Sequence, residues 1–473
     1  MVLVQALLPL LLLLGGMAGV LLSYFRPVAI AGEVQSGVGV GVLTLAGFGS
    51  LFVPEVKELN QLIAVDAHAK SWMALSFLSC ACVLIMMDTK SEQALVSKQG
   101  SALCMLLIGA CAGLAAISRS LWLVFIAIEV LAVTLVILTN LSENKRWNER
   151  IPHAMLRPNL VGTGLMLIGL VLLFARGGGS LQFDRLQLEL QALTGAEASL
   201  WAIGVFAAGV FCKMFAAVSQ ILQPARGMPA PAHIVCVILT TVMLAVTAAL
   251  ARLVVESLPG QSSLIRAVLP LACIAVTGWF SIQSLRETDF NRLLISLAMS
   301  QVAVGVFALA AASQPSLQGL LHLATISTLA IVGISALITM LGRFDVLVED
   351  LNDVARLVRS NFVSGLLLLF LLLALAGLPP MSGFLSRIMI FRATHDAGMA
   401  SLSTAMLIAW SISALATIRV LGIAVRPRNT DFVPQARSGS VKLASACLAV
   451  LVLCLVMAAP FSGWADRAAS SLF

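Results

Sequence analysis

Apolar residues in this chain come in long unbroken runs, without the two-residue alternation of half-buried strands or the 3.6-residue stripe of surface helices. Runs near the roughly twenty residues a helix needs to cross a bilayer recur from one end to the other. They fall at about 2–24, 30–53, 71–87, 101–118, 120–139, 160–175, 200–221, 230–252, 264–284, 291–313, 317–341, 361–393, 399–424 and 441–461. The pattern predicts an all-α, polytopic membrane protein of about fourteen transmembrane helices with no soluble domain between them. Connections are mostly short, the longer ones being 54–70, 140–159, 176–199, 342–360 and 425–440. The stretch 342–360 reads equally as a short amphipathic surface helix that docks a partner or as a solvated connector.

Two spans look interrupted. After Lys213 the seventh runs into QILQPARGMPAP, with Pro224, Pro229 and Pro231, and the twelfth contains AGLPPMSGF, with Pro379, Pro380 and Gly383. Proline removes a backbone donor, and lipid-facing backbone cannot leave the freed groups unsatisfied, so such breaks mark protein-lined cavities. If helices four to eight and nine to thirteen form two five-helix units, the broken seventh and twelfth helices hold equivalent places. That is the arrangement of a transporter with two inverted repeats. The expected division is 1–100 for helices one to three, 101–252 and 253–424 for the two repeats, and 425–473 for the last helix.

Composition agrees with a membrane solvent: 60% of residues are hydrophobic and 11% charged, where a soluble domain carries about a quarter charged. The net charge of +7 is a topology signal, and no nucleic-acid partner is expected. Lysines and arginines favour the odd-numbered connections roughly two to one, as with Lys145, Arg146 and Arg150 or Arg426, Arg428 and Arg437. By the positive-inside rule those connections are cytoplasmic and both termini lie outside. An early miscount of spans would have scrambled this bias. The first run lacks a basic n-region and a cleavage site, so it reads as a retained helix. Nine cysteines sit almost wholly in apolar runs with no metal-ligand spacing, so no metal or cofactor is expected. No Walker, GxSxG, HExxH or dinucleotide glycine pattern occurs in a suitable context, so no self-contained active site is expected.

A charge near the bilayer centre costs several kcal/mol on insertion scales and demands a partner, a cavity or a function. Glu129, in WLVFIAIEVLAVTLVIL, is the one acidic residue well inside a predicted span, and Lys213, in GVFAAGVFCKMFAAV, sits mid-span. A lysine deprived of water can load and release a proton, and a Glu–Lys pair can act as the switch. Arg387, in GFLSRIMIFR, follows the second break; it is always charged, which suits holding or gating an anion or carboxylate, or snorkelling, better than carrying protons. His322, in LLHLATISTLA, titrates near neutrality in principle, and a neutral histidine bonded to backbone is the plainer reading. His233 suits capping or packing as well as transport.

With these residues in view, the sequence resembles the antiporter-like subunits shared by respiratory complex I (NADH:quinone oxidoreductase) and Mrp-type cation/proton antiporters, over nearly its whole length. IAVDAHAKSWMAL resembles the VDG-containing entry to that family's third helix, and WLVFIAIEVLAV its fifth helix with the key glutamate. Lys213 followed by GMPAPAH is similar to the lysine of the seventh helix and the PTPV or PAPV start of the eighth. TDFNRLLISLAMSQ, ending at Ser300 and Gln301, HLATISTLA and AGLPPMSGFLSR are similar to TDIKR-L-AYSS-SQ, HLxTHxxxK and GLPPxxGFxxK. The resemblance implies a central string of protonatable residues with Glu129 and Lys213 as a pair. Departures stand out: the second histidine and the lysine of HLxTHxxxK fall on Ile326 and Ala330, the eighth-helix lysine falls near Thr241, and the terminal lysine is Arg387.

The expected function is therefore a proton- or cation-translocating, antiporter-like subunit of a multisubunit energy-coupling complex in a bacterial inner membrane. Its partners would be other membrane subunits, the lipid bilayer, and protons or monovalent cations. The alternative is a non-transporting scaffold in a related assembly, such as a membrane hydrogenase or a bicarbonate-accumulating machine. The departures predict a drier, more apolar centre around the eighth and eleventh helices, which either water and His322 bridge or nothing does, leaving a scaffold or a half-channel.

Overall fold

The computed structural model describes residues 5–23, 28–59, 62–88, 95–141, 145–176, 181–191, 196–222, 232–258, 263–341, 351, 362–425, 442–450 and 458–472. Among them, eleven helices are long and apolar enough to cross a membrane. Two shorter apolar helices, α1 (Leu8–Ser23) and α13 (Phe362–Ala376), fall on the first and twelfth predicted runs. In the fourteenth run residues 442–450 are helical, and 451–457 lie outside the described residues. The sites of Pro224, Pro229 and Pro231 also lie outside them, as does all of 342–360 except Leu351.

Three predicted connections hold structure of their own. Segment 54–70 contains an antiparallel hairpin, β1 (Val56–Leu59) with β2 (Ile63–Val65), the one sheet among the described residues. Segment 140–159 is largely helical, because α6 (Lys145–Arg176) starts well before its apolar part. Segment 176–199 contains α7 (Phe183–Gln191), which buries Phe183, Leu186 and Leu190 and exposes Leu188. Hydropathy misses all three, since each is polar or amphipathic and too short or too charged to register as a span.

The chain divides into two compact units. The first comprises Met1–Pro224, Thr241–Ser262 and Arg467–Phe473. It holds α1, α2 (Val28–Phe52), α3 (Ala67–Asp88), α4 (Leu95–Ile117), α5 (Leu121–Asn140), α6, α7, α8 (Ala196–Leu222) and the second half of α9 (Ala232–Ser257). Two π-helical turns, Ile238–Val242 and Leu253–Ser257, interrupt the α pattern of α9.

At one end of this unit, connections two spans apart meet. Arg119 N–H donates to the Leu62 carbonyl at 2.8 Å, and Phe183 N–H donates to the Arg119 carbonyl at 3.0 Å. The second, fourth and sixth connections thus share one end of the unit, as spans that alternate in direction require. A buried ion network closes the same end. The fully buried Arg252 donates from Nη2 to both Asp66 oxygens at 2.7 and 2.8 Å, from Nη1 to Glu256 at 2.7 Å, and from Nε to the Ala116 carbonyl at 3.2 Å. Arg119 continues it to Glu256 and Asp184, each at 2.8 Å. Asp66 also caps α3, accepting from Ala69 N–H at 2.8 Å.

Helices α6 and α8 approach closely through glycines. A Cβ on Gly209 would lie 2.7 Å from the Gly162 carbonyl, and one on Gly169 would lie 2.8 Å from the Ala202 carbonyl. Small residues at such crossings bring backbones together, which stabilises helix pairs where the hydrophobic effect between helices is weak.

The second unit, Ala225–Thr240 with Ser263–Asp466, contains α10 (Ser263–Arg286), α11 (Phe290–Ala308), α12 (Gln314–Leu341), α13, α14 (Ser382–Asp396) and α15 (Ala400–Val425). The sequence-predicted break of the twelfth span is present: α13 ends at Ala376 and α14 begins at Ser382. Gly377, at φ +72°, makes the stop. Its N–H donates to the Ala374 carbonyl at 3.2 Å and Leu378 N–H donates to the Leu373 carbonyl at 3.1 Å, a Schellman closure that a residue with a Cβ would strain.

Candidate functional site

Glu129 is the lone charge on α5, and Lys213 stands past the midpoint of α8. The structure brings them together: Lys213 Nζ lies 2.9 Å from Glu129 Oε1 and donates to Oε2 at 3.0 Å. It also donates to Thr163 Oγ1 on α6 at 2.9 Å. Thr163 shares its single hydroxyl hydrogen between Glu129 Oε2 at 3.2 Å and the Asn159 carbonyl at 3.0 Å. Lys213 is 5% exposed and Glu129 22%. The lysine stem runs where Gly162 has no side chain; a Cβ there would sit 2.7 Å from Lys213 Cγ. Beside the ammonium lies a crevice of about 20 Å³ lined by Leu131, Leu135, Asn159, Val242 and Val246 among others. That is space for about one water molecule.

Thr241, in the place of the family's eighth-helix lysine, is fully buried in a π turn of α9; its hydroxyl lies 2.8 Å from Ser79 Oγ and 3.4 Å from Cys80 Sγ. In the second unit Ile326, Ala330 and His322 on α12 are each fully buried. His233, on the first turns of α9, is also buried.

Arg387 is 1% exposed, so it does not snorkel. Its Nη1 donates to the Gly383 carbonyl, and its Nη2 donates to Gln301 Oε1 and, at 2.8 Å, to the Leu375 carbonyl. The guanidinium carbon lies 5.4 Å from the Trp410 ring centre, and Trp410 Nε1 donates to the Ala376 carbonyl at 3.0 Å. Thus Arg387 and Trp410 take the two carbonyls that the Schellman closure leaves over. His322 is not among the groups that hold Arg387, and Pro379 and Pro380 sit exposed in the turn.

The sequence reading missed the Asp66–Arg252–Glu256–Arg119–Asp184 network. Arg252 and Arg119 read as helix-end charges; the one sequence signal is Arg252 four residues before Glu256 on one helix face, which marks an ion pair but neither its burial nor its link to Arg119. Burial raises the Asp66 pKa, but the charge of Arg252, that of His68 and the hydrogen bonds from Ala69 and Arg252 together outweigh it and hold the carboxyl below its usual 3.8.

Residues 118–413 match the transmembrane family described as NADH:quinone oxidoreductase/Mrp antiporter. The match takes in more than half of the chain, and the protein belongs to this family. Among curated relatives it is similar to NADH-quinone oxidoreductase subunit N of Parvibaculum lavamentivorans, 22% identical over 418 residues, covering 87% of this chain and 86% of the relative. It is also similar to subunit N of Mycobacterium tuberculosis, 25% identical over 365 residues, covering 75% and 68%. Among solved structures its fold matches a chain of respiratory complex I from Thermus thermophilus with bound aureothin, at a TM-score of 0.79 and 20% identity, covering 96% and 98%. A chain of the archaeal membrane-bound sulfane sulfur reductase matches at 0.72 and 16% identity, covering 100% and 97%. The chain is an antiporter-like membrane subunit with the complex I antiporter-like fold.

Proposed function

We propose that this subunit moves protons, with Lys213, Glu129 and Thr163 as its switching element. The observation that carries the proposal is the buried lysine whose counter-charge is a single, removable carboxylate. With Glu129 in place, the carboxylate and the ammonium offset one another's charge. If a charge arriving from a neighbouring subunit neutralises Glu129 or draws it away, an ammonium left at 5% exposure loses its compensation and releases its proton. The adjoining crevice has room for a first acceptor, one water.

Assembly with other membrane subunits is supported by the relatives, which are subunits of NADH-quinone oxidoreductase, and by the two structural matches, both respiratory membrane complexes. The charge bias supports a bacterial inner membrane orientation with odd connections cytoplasmic and both termini outside. The broken twelfth helix supports the reading of 101–252 and 253–424 as inverted repeats.

The test is Lys213→Met in the assembled complex, reconstituted in vesicles. Proton translocation per electron transferred should fall with assembly intact, and an unchanged stoichiometry would refute the proposal. A scaffold role is the second reading, favoured by the apolar Ile326 and Ala330 and by an arginine tied to backbone carbonyls. His322→Ala is expected to lower translocation without loss of assembly; silence in both variants would decide for the scaffold.

A further inference from the structure

We propose that the helix break of the second unit is a monovalent-cation site, and that Arg387 fills it as a cation tethered to the chain. Three buried oxygens converge on one guanidinium: the Leu375 carbonyl, the Gly383 carbonyl and Gln301 Oε1. Leu375 stands in the last turn of α13, where the carbonyls carry the negative end of the helix dipole. The face of Trp410, also negative, closes the site on one side. No Asp or Glu among the described residues lies within ion-pair distance of Arg387.

This environment repels carboxylates and phosphates and attracts small cations. Half-helix C-termini and unwound carbonyls are the groups that hold monovalent cations at the broken helices of transporters. The shape is specific to an occupied site as well. A Cβ on Gly377 would lie 1.7 Å from Arg387 Nη1, so the glycine that stops α13 also makes room for the guanidinium. A Cβ on Gly383 would collide with the Ala374 carbonyl at 2.3 Å. While Arg387 stays, no free ion can use these oxygens, and ion passage at this break requires the side chain to leave. This inference does not depend on proton movement at Lys213.

The experiment is Arg387→Ala in the full complex, with thermal stability measured in low-millimolar guanidinium chloride against equal tetramethylammonium chloride. Without a cation the buried oxygens lose their donors, and the folded-to-unfolded ratio should fall by roughly 5–30-fold. Guanidinium should restore most of it, and restoration by sodium or potassium supports the site equally. Tetramethylammonium, too large and without donors, should not. Rescue no better than with tetramethylammonium overturns the proposal, as does an Arg387→Met protein as stable as the native one. If Arg387→Ala fails to assemble with or without guanidinium, Arg387→Lys decides: an ammonium reaching the same oxygens should permit assembly, and failure overturns the proposal. Lys213→Met should gain nothing from guanidinium, so loss of the translocation reading would be seen separately.

Discussion

Lys213 in the first unit and Arg387 in the second are both buried cations on transmembrane helices, but their partners differ in kind. Lys213 is held by a carboxylate and a hydroxyl. Arg387 is held by two backbone carbonyls and an amide oxygen. A carboxylate can be protonated or pulled away, and a lysine can then lose its proton; carbonyl and amide oxygens cannot titrate, and an arginine stays charged. The first arrangement has two charge states and the second has one. What distinguishes a switch from a fixture is therefore the partner, as much as the cation.

The largest effect that would test this contrast lies outside both sites. Arg252→Met leaves Asp66 buried without its cation and Glu256 with Arg119 alone, and breaking a buried pair costs about 3–5 kcal/mol. Chemical denaturation of the complex should show the loss, confined to the first unit. The same network sets an acid limit. Because the folded Asp66 pKa lies below 3.8, its stabilisation is present above that value and is lost as pH falls through the folded pKa. An Asp66→Asn variant should lose that part of the acid dependence.

Exchanging the cations sharpens the comparison. Lys213→Arg places a wider head group beside Gly162 and Thr163, where overpacking costs about 1–3 kcal/mol. It should also stop proton release while keeping the charge, so a complex that pumps normally with arginine at this position would remove the distinction drawn above. Smallest is Thr163→Val, which deletes one hydrogen bond to Lys213 and one to Glu129, about 1 kcal/mol for each. The expected readout is a displaced pH profile of translocation with little change in assembly.

Much of this was legible in the residues. Long apolar runs mark the spans because lipid demands them, and the AGLPP break shows because glycine and proline are the residues that end a helix. Glu129 and Lys213 stand out because charge is rare in such runs. Other features were hidden for physical reasons. The hairpin and α7 are short and polar, so they carry no membrane signal. Arg252 and Arg119 sit at span ends, where sequence cannot distinguish a hydrated charge from a buried one. Arg387 was visible as a charge, but two of its three acceptors are backbone atoms, and backbone atoms have no letter in a sequence.

The glycine-lined crossing of α6 and α8 has a mechanical consequence. Two helices whose backbones approach this closely at Gly162, Gly169 and Gly209 have little side-chain packing to yield between them, so they are expected to move as one stave. Thr163 and Lys213 ride on that stave together, while Glu129 rides on α5. Any motion that parts the pair must then run along the boundary between α5 and the stave. A covalent cross-link joining α6 to α8 should leave turnover intact, and one joining α5 to α6 should arrest it.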